Sequence, residues 1–103
     1  MRFMPLDRLI NLHDGYRRRF KVDALDLVLA QESGTLYAFS SRCPHQDQSL
    51  EDADIEEGTV FCPRHNFAFS LDTGLHTDGF CDAISIYRVH YEGNEVGILL
   101  EHY

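Results

Sequence analysis

The chain has 103 residues, 44% of them hydrophobic, and 17 acidic against nine Lys and Arg side chains give a net charge of −8. That length supports one domain, residues 1–103, with a modest core. The charge argues against nucleic acid, which takes a basic face, and no apolar run approaches the length of a membrane span.

Met1-Arg2-Phe3-Met4-Pro5 reads as the start of a strand rather than a secretory leader. The best helix candidate is 7–12, a turn or two at most. Arg17–Val22, 25–31 and 36–41 read as short strands rich in β-branched, aromatic or aliphatic residues. Asp23-Ala24 and Glu32-Ser33-Gly34-Thr35 separate them as turns. Alternation puts Arg18 opposite Arg17 and Arg19, which predicts a solvated strand, not a basic patch. Gly58 precedes a strand at Thr59–Phe61, and 67–71 returns toward a turn at Asp72-Thr73-Gly74. A last hairpin joins 84–91 to Glu95–Leu100 across Glu92-Gly93-Asn94. There are no repeats, linkers or low-complexity segments. Many short strands in so short a chain predict an all-β sandwich or barrel.

Two segments between these strands offer metal ligands. Cys43-Pro44-His45 is followed, after sixteen residues (46–61), by Cys62-Pro63-Arg64-His65. Two thiolates and two imidazoles suit a [2Fe–2S] cluster with two Cys on one iron and two His on the other. Soft thiolate sulfur suits the iron that stays ferric. Neutral imidazole lowers the negative charge on the other iron, so an electron is added more easily, in the range of roughly −150 to +300 mV. Pro44 and Pro63 stiffen the loops and push the preceding Cys toward extended geometry. The same four ligands would also hold zinc. Finger-type sites, however, run Cys-Cys and then His-His, and no helix here carries an HxxxH pair. Three cysteines cannot form a disulfide framework if two bind metal. Cys81 then reads as a small buried hydrophobe, and the chain as cytoplasmic, where thiols stay reduced.

The pattern C-x-H, sixteen residues, C-x-x-H resembles the Rieske iron–sulfur family. Phe69, Asp72 and Gly74 match the family's run after its second ligand pair. Leu36-Tyr37-Ala38-Phe39 leads into the first Cys as it does in small Rieske ferredoxins. The likeness spans nearly the whole chain. It implies a β-sandwich or barrel-like base with a small cluster-binding subdomain at about residues 43–72. It also implies that Cys43 and Cys62 hold the inner iron of a [2Fe–2S] cluster and His45 and His65 the outer one. Gln48 and Arg64 stand where high-potential respiratory members carry an extra disulfide, and Phe67 and Phe69 where those members carry hydroxyls. Fewer donors to the cluster imply a potential at the low end of the range, as in ferredoxins that serve ring-hydroxylating oxygenases. Asn66 replaces a usual Gly and tolerates positive φ. The third loop, His76-Thr77-Asp78-Gly79-Phe80, lacks the prolines common in relatives.

No G-x-G-x-x-G for a nicotinamide or flavin is present, and no second His/carboxylate triad for a mononuclear iron. An electron-transfer component, not an enzyme, is therefore expected. The resemblance implies a monomer that passes single electrons from a flavin-dependent reductase to a terminal oxygenase. Two alternatives stay open: a small Rieske subunit of a multi-subunit reductase such as nitrite reductase, and a zinc-stabilised interaction module. Glu51-Asp52-Ala53-Asp54-Ile55-Glu56-Glu57 lies between the ligand loops. It reads as a docking rim for a basic partner or as a solubility device. His13, His76, His90 and His102 read as surface polar residues.

Overall fold

The computed structural model describes residues 2–22, 24–43, 48–51, 53–62, 68–75 and 84–100, with the main chain alone at 43 and 48. In chain order the strands are β1 (Arg2–Arg8), β2 (Arg17–Val22), β3 (Leu25–Glu32), β4 (Thr35–Ser40), β5 (Arg42–Cys43), β6 (Gln48–Ser49), β7 (Asp54–Glu56), β8 (Thr59–Phe61), β9 (Ala68–Ser70), β10 (Ile86–Glu92) and β11 (Glu95–Leu100). The expected all-β class holds. β2, β8 and β11 have the expected bounds, β3, β4, β9 and β10 shift by a residue or two, and β5, β6 and β7 were not expected. Of the helix candidate at 7–12, Asp7 and Arg8 belong to β1, and only Leu9–Asn11 forms a single 3₁₀ turn.

Six strands form one antiparallel sheet in the order β1-β11-β10-β4-β3-β2. β10 makes the corner. Its first residues, Ile86 and Tyr87, pair with β4, and Arg88 to Glu92 pair with β11. A strand that switches partners along its length folds a sheet over on itself. Pro5 sits on β1, an edge strand, beside a register shift between Pro5 and Asp7. There its missing N–H is tolerated.

The curl encloses one core. Leu27, Leu29, Ala38, Val96 and Ile98 are buried in it, with Met4, Leu6, Phe20 and Leu100 packed around them. The other face of β3 and β4 carries a second core. There Val28, Ala30 and Phe39 meet Leu50, Ala53, Ile55, Val60, Cys62, Phe69, Leu71 and Ile84. Leu27–Ala30 is thus buried residue by residue, because successive side chains of β3 enter opposite cores. Burying Leu27, Val28 and Leu29 contributes about 1.5–3 kcal/mol each.

The second core is roofed by two small sheets, β5-β6 and β7-β8-β9. β7 and β8 meet at Glu57 and Gly58, with φ of 50° and 74°. Two consecutive left-handed residues make the tight turn that matches strand twist.

Candidate metal centre

Each candidate ligand segment begins at the end of a short strand, β5 at Cys43 and β8 just before Cys62. Val60 points into the second core, Phe61 is half-buried, and Cys62, two residues after Val60, returns to the core at 1% exposure. Cys43 ends β5, and the Arg42↔Ser49 and Cys43↔Gln48 pairs bring together the two ends of 44–47. Cys43 is described only in its main chain. His45 and His65 lie outside the described residues, as do Pro44, Pro63, Arg64, Asn66, Phe67, the third loop at 76–80 and Cys81. Among the described residues no three side chains of metal-ligating type converge.

The frame beneath the first loop is closely hydrogen-bonded. Ser41 is buried, its N–H donates to the Asp26 carbonyl at 3.0 Å, and its own carbonyl accepts from the Leu50 N–H at 2.6 Å. Ala53 N–H donates to the Leu50 carbonyl at 3.2 Å. Beneath the second loop, Leu71 N–H donates to the Gly58 carbonyl at 2.8 Å. Gly74 has φ of 82°, and a Cβ there would lie 2.2 Å from the Ile84 carbonyl oxygen. The Ile84 N–H donates to the Gly74 carbonyl at 2.9 Å, so the two ends of 75–83 meet at a point that admits only glycine.

The arginines of β2 alternate as expected, but they are not simply solvated. Arg17 donates to the carbonyl of Ala53, and to that of Glu51 at 3.4 Å, and lies 3.8 Å from Glu32. Arg19 grips Asp26 with two bonds, at 2.7 and 2.5 Å. The Arg19 guanidinium, helped by the Ser41 hydroxyl, holds the Asp26 carboxyl well below the usual carboxylate range against the pull of burial. Arg18 alone is largely exposed, 3.5 Å from Asp7. In contrast, Asp54, Glu56 and Glu57 are exposed along β7 and its turn. Asp52 lies outside the described residues. His13 is exposed, and His90 is half-exposed, 3.3 Å from Glu92.

The donor chemistry fits an iron–sulfur cluster. Cys62 lies in the second core with Val60, Leu50 and Phe69, where its soft sulfur is shielded from water as a ligand to iron would be. A model of the Rieske [2Fe-2S] domain matches residues 3–88. The chain belongs to the Rieske family. It is 35% identical over 77 residues, 70% of each chain, to the 3-phenylpropionate/cinnamic acid dioxygenase ferredoxin subunit of Shigella flexneri serotype 5b (strain 8401). Its fold matches the ferredoxin of carbazole 1,9a-dioxygenase from Nocardioides aromaticivorans IC177 with a TM-score of 0.79. That likeness is 25% identical and covers 93% of this chain and 95% of the other. A chain in the complex of reduced oxygenase and oxidized ferredoxin in carbazole 1,9a-dioxygenase shares the fold, with a TM-score of 0.79 and 23% identity over 93% of this chain and all of that one.

A Rieske chain carries a [2Fe–2S] cluster, which displaces the zinc alternative. When bound, the cluster takes up and releases one electron at a time. The protein is accordingly an electron carrier of a multicomponent system and not itself a catalyst. Among the described residues no helix is long and apolar enough to cross a membrane. Sequence reasoning did not find Arg17 or Ser41. Arg17 meets the Glu51 and Ala53 carbonyls and Ser41 meets Asp26 and Leu50, and no local pattern signals such contacts.

Proposed function

We propose that this Rieske protein acts in the cytoplasm as a monomer, taking electrons from a flavin-dependent reductase and delivering them to a terminal ring-hydroxylating oxygenase. Cys43 and Cys62 hold the inner iron, His45 and His65 the outer one, and residues 43–72 act as the cluster-binding subdomain. The observation that carries the reading is the 35% identity to a dioxygenase ferredoxin subunit over 70% of both chains. The buried Cys62 supports it as the inner thiolate. The oxygenase docks over the outer histidines, and the exposed Asp54, Glu56 and Glu57 face its basic residues. Exposed pairs add little affinity, but their shared field speeds encounter.

The test is reconstitution. The purified protein should contain iron and sulfide in equal amounts. A flavoprotein reductase with NADH should reduce it, and an oxygenase should turn over only when the protein is added. Stopped-flow transfer to the oxygenase should slow as salt rises, and slow further at low salt in the Glu56→Lys/Glu57→Lys variant. A fully loaded protein that supports a nitrite reductase and no oxygenase would overturn the proposal.

A further inference from the structure

Two arginines of one strand brace the main chain that flanks the first ligand segment, at Ser41 and at Glu51–Ala53. Arg17 and Arg19 lie opposite Ala30 and Val28 in the β2–β3 ladder. Cross-strand partners share a face, and Ala30 and Val28 face the core beneath the small sheets. Both guanidinium groups are therefore at the rim of the cluster-bearing half. Their side chains are only 20% and 34% exposed.

The two arms reach opposite sides of the loop. Arg19 holds Asp26, and the Asp26 carbonyl and carboxylate both bond Ser41, two residues before Cys43. Arg17 bonds the carbonyls of Glu51 and Ala53, just beyond β6, the strand that pairs with Cys43. The Ser41–Leu50 hydrogen bond joins the arms across the base of the loop. β5 and β6 contribute only two residue pairs of their own. So short a ladder cannot fix a loop unaided.

We infer that Arg17 is a positioning residue for the cluster, acting through the Glu51–Ala53 main chain, with the Arg19–Asp26–Ser41 arm as its counterpart. It holds the main chain just beyond β6, so its loss loosens the Cys43–Gln48 pair and lets iron escape faster while the rest of the barrel stays folded. This rests on the ligand assignment above, which loss of the cluster from Cys43→Ser and from Cys62→Ser tests separately.

The experiment follows iron release from the loaded protein to a chelator, well below the unfolding temperature, alongside far-UV circular dichroism and the EPR spectrum of the reduced cluster. Arg17→Ala should release iron about tenfold faster, the kinetic equivalent of one lost charge-assisted hydrogen bond. Its dichroism should stay unchanged, and its EPR lines should broaden. Arg17→Lys, which keeps the charge and one donor, should restore much of the wild-type behaviour. Asp26→Asn should release iron faster than wild type. Arg18→Ala, on the same strand but facing away, should behave as wild type. Release from Arg17→Ala at the wild-type rate, release that merely tracks loss of dichroism, or an equal effect of Arg18→Ala would each overturn the inference. If Arg17→Ala does not fold, wild-type release from both Arg17→Lys and Asp26→Asn would overturn it.

Discussion

Tyr16 donates its hydroxyl to the carboxylate of Asp7 across the gap between the two edge strands of the curled sheet. The same carboxylate accepts from the Asn11 side-chain amide at 2.8 Å and the Arg8 N–H at 2.7 Å. The Arg18 guanidinium stands 3.5 Å away. One side chain therefore gathers β1, the 3₁₀ turn and the start of β2. It closes the barrel where no strand ladder does.

Acid should loosen this seam. The Tyr16 hydroxyl and the Asn11 amide hold Asp7 down from an ordinary 3.8 to about 2, against the opposing effect of burial. A carboxyl whose pKa falls on folding contributes stability that is complete above 3.8 and is lost as the pH falls toward about 2. Asp7→Asn should be less stable at neutral pH by about 1–3 kcal/mol, since a hydrogen-bonded charge is lost. The difference from wild type should shrink as the pH falls toward 2. Thermal melts of both proteins across this range are the measurement, and a constant difference would contradict the assignment.

Replacing Cys62 should empty the centre. Its side chain is 1% exposed, so a substitute ligand from water has no route to the site. Serine keeps the size but offers a harder oxygen with a far higher pKa, a poor partner for this iron. Cys62→Ser should purify colourless or lose its cluster rapidly, as read by absorption and by iron and sulfide counts. A stable, fully loaded variant would remove Cys62 from the ligand set.

The reduction potential should sit at the low end of the Rieske range of roughly −150 to +300 mV, and should be flat with pH around neutrality. Phe69 is fully buried and carries no hydroxyl with which to stabilise the reduced cluster's added charge. Protein-film voltammetry across pH decides this. A value near the top of the range would show that donors outside Phe67 and Phe69 set the potential.

Gly97→Ala should unseat β1. A Cβ at Gly97 would lie 1.9 Å from the Met4 carbonyl oxygen and 2.8 Å from the Pro5 Cα. Both obstacles are main chain, so no side-chain rotation relieves them. The substitution should destabilise the protein by about 3 kcal/mol, the upper range for an overpacked site. Denaturant unfolding should show the loss, and amide exchange in β1 should accelerate more than in β3.

The parts of the fold that could be read in advance were those with enough residues to show a period. β2 and β11 are six residues long and each adjoins turn residues, Asp23-Ala24 after β2 and Gly93-Asn94 before β11, so those limits were plain. β5, β6 and β7 are two or three residues long, too short for a period to emerge, and none was foreseen. β10 begins later than its sequence suggests because the Ile84 N–H goes to Gly74 rather than to a neighbouring strand. At the centre, the Cys and His pattern made the Rieske family and its [2Fe–2S] cofactor legible. The Arg17 contact was not legible. Its acceptor is a main-chain carbonyl 36 residues away, and a carbonyl carries no sequence label.

β3, with alternate residues in two cores, has a consequence for the newly made chain. Val28, Ala30 and Phe39 are fully covered only while the small sheets lie over them. If that cover lifts while the curled sheet persists, an apolar sheet face is bared on an otherwise native body, the kind of surface on which chains aggregate. Keeping the small sheets in place is then a condition of solubility as well as of packing.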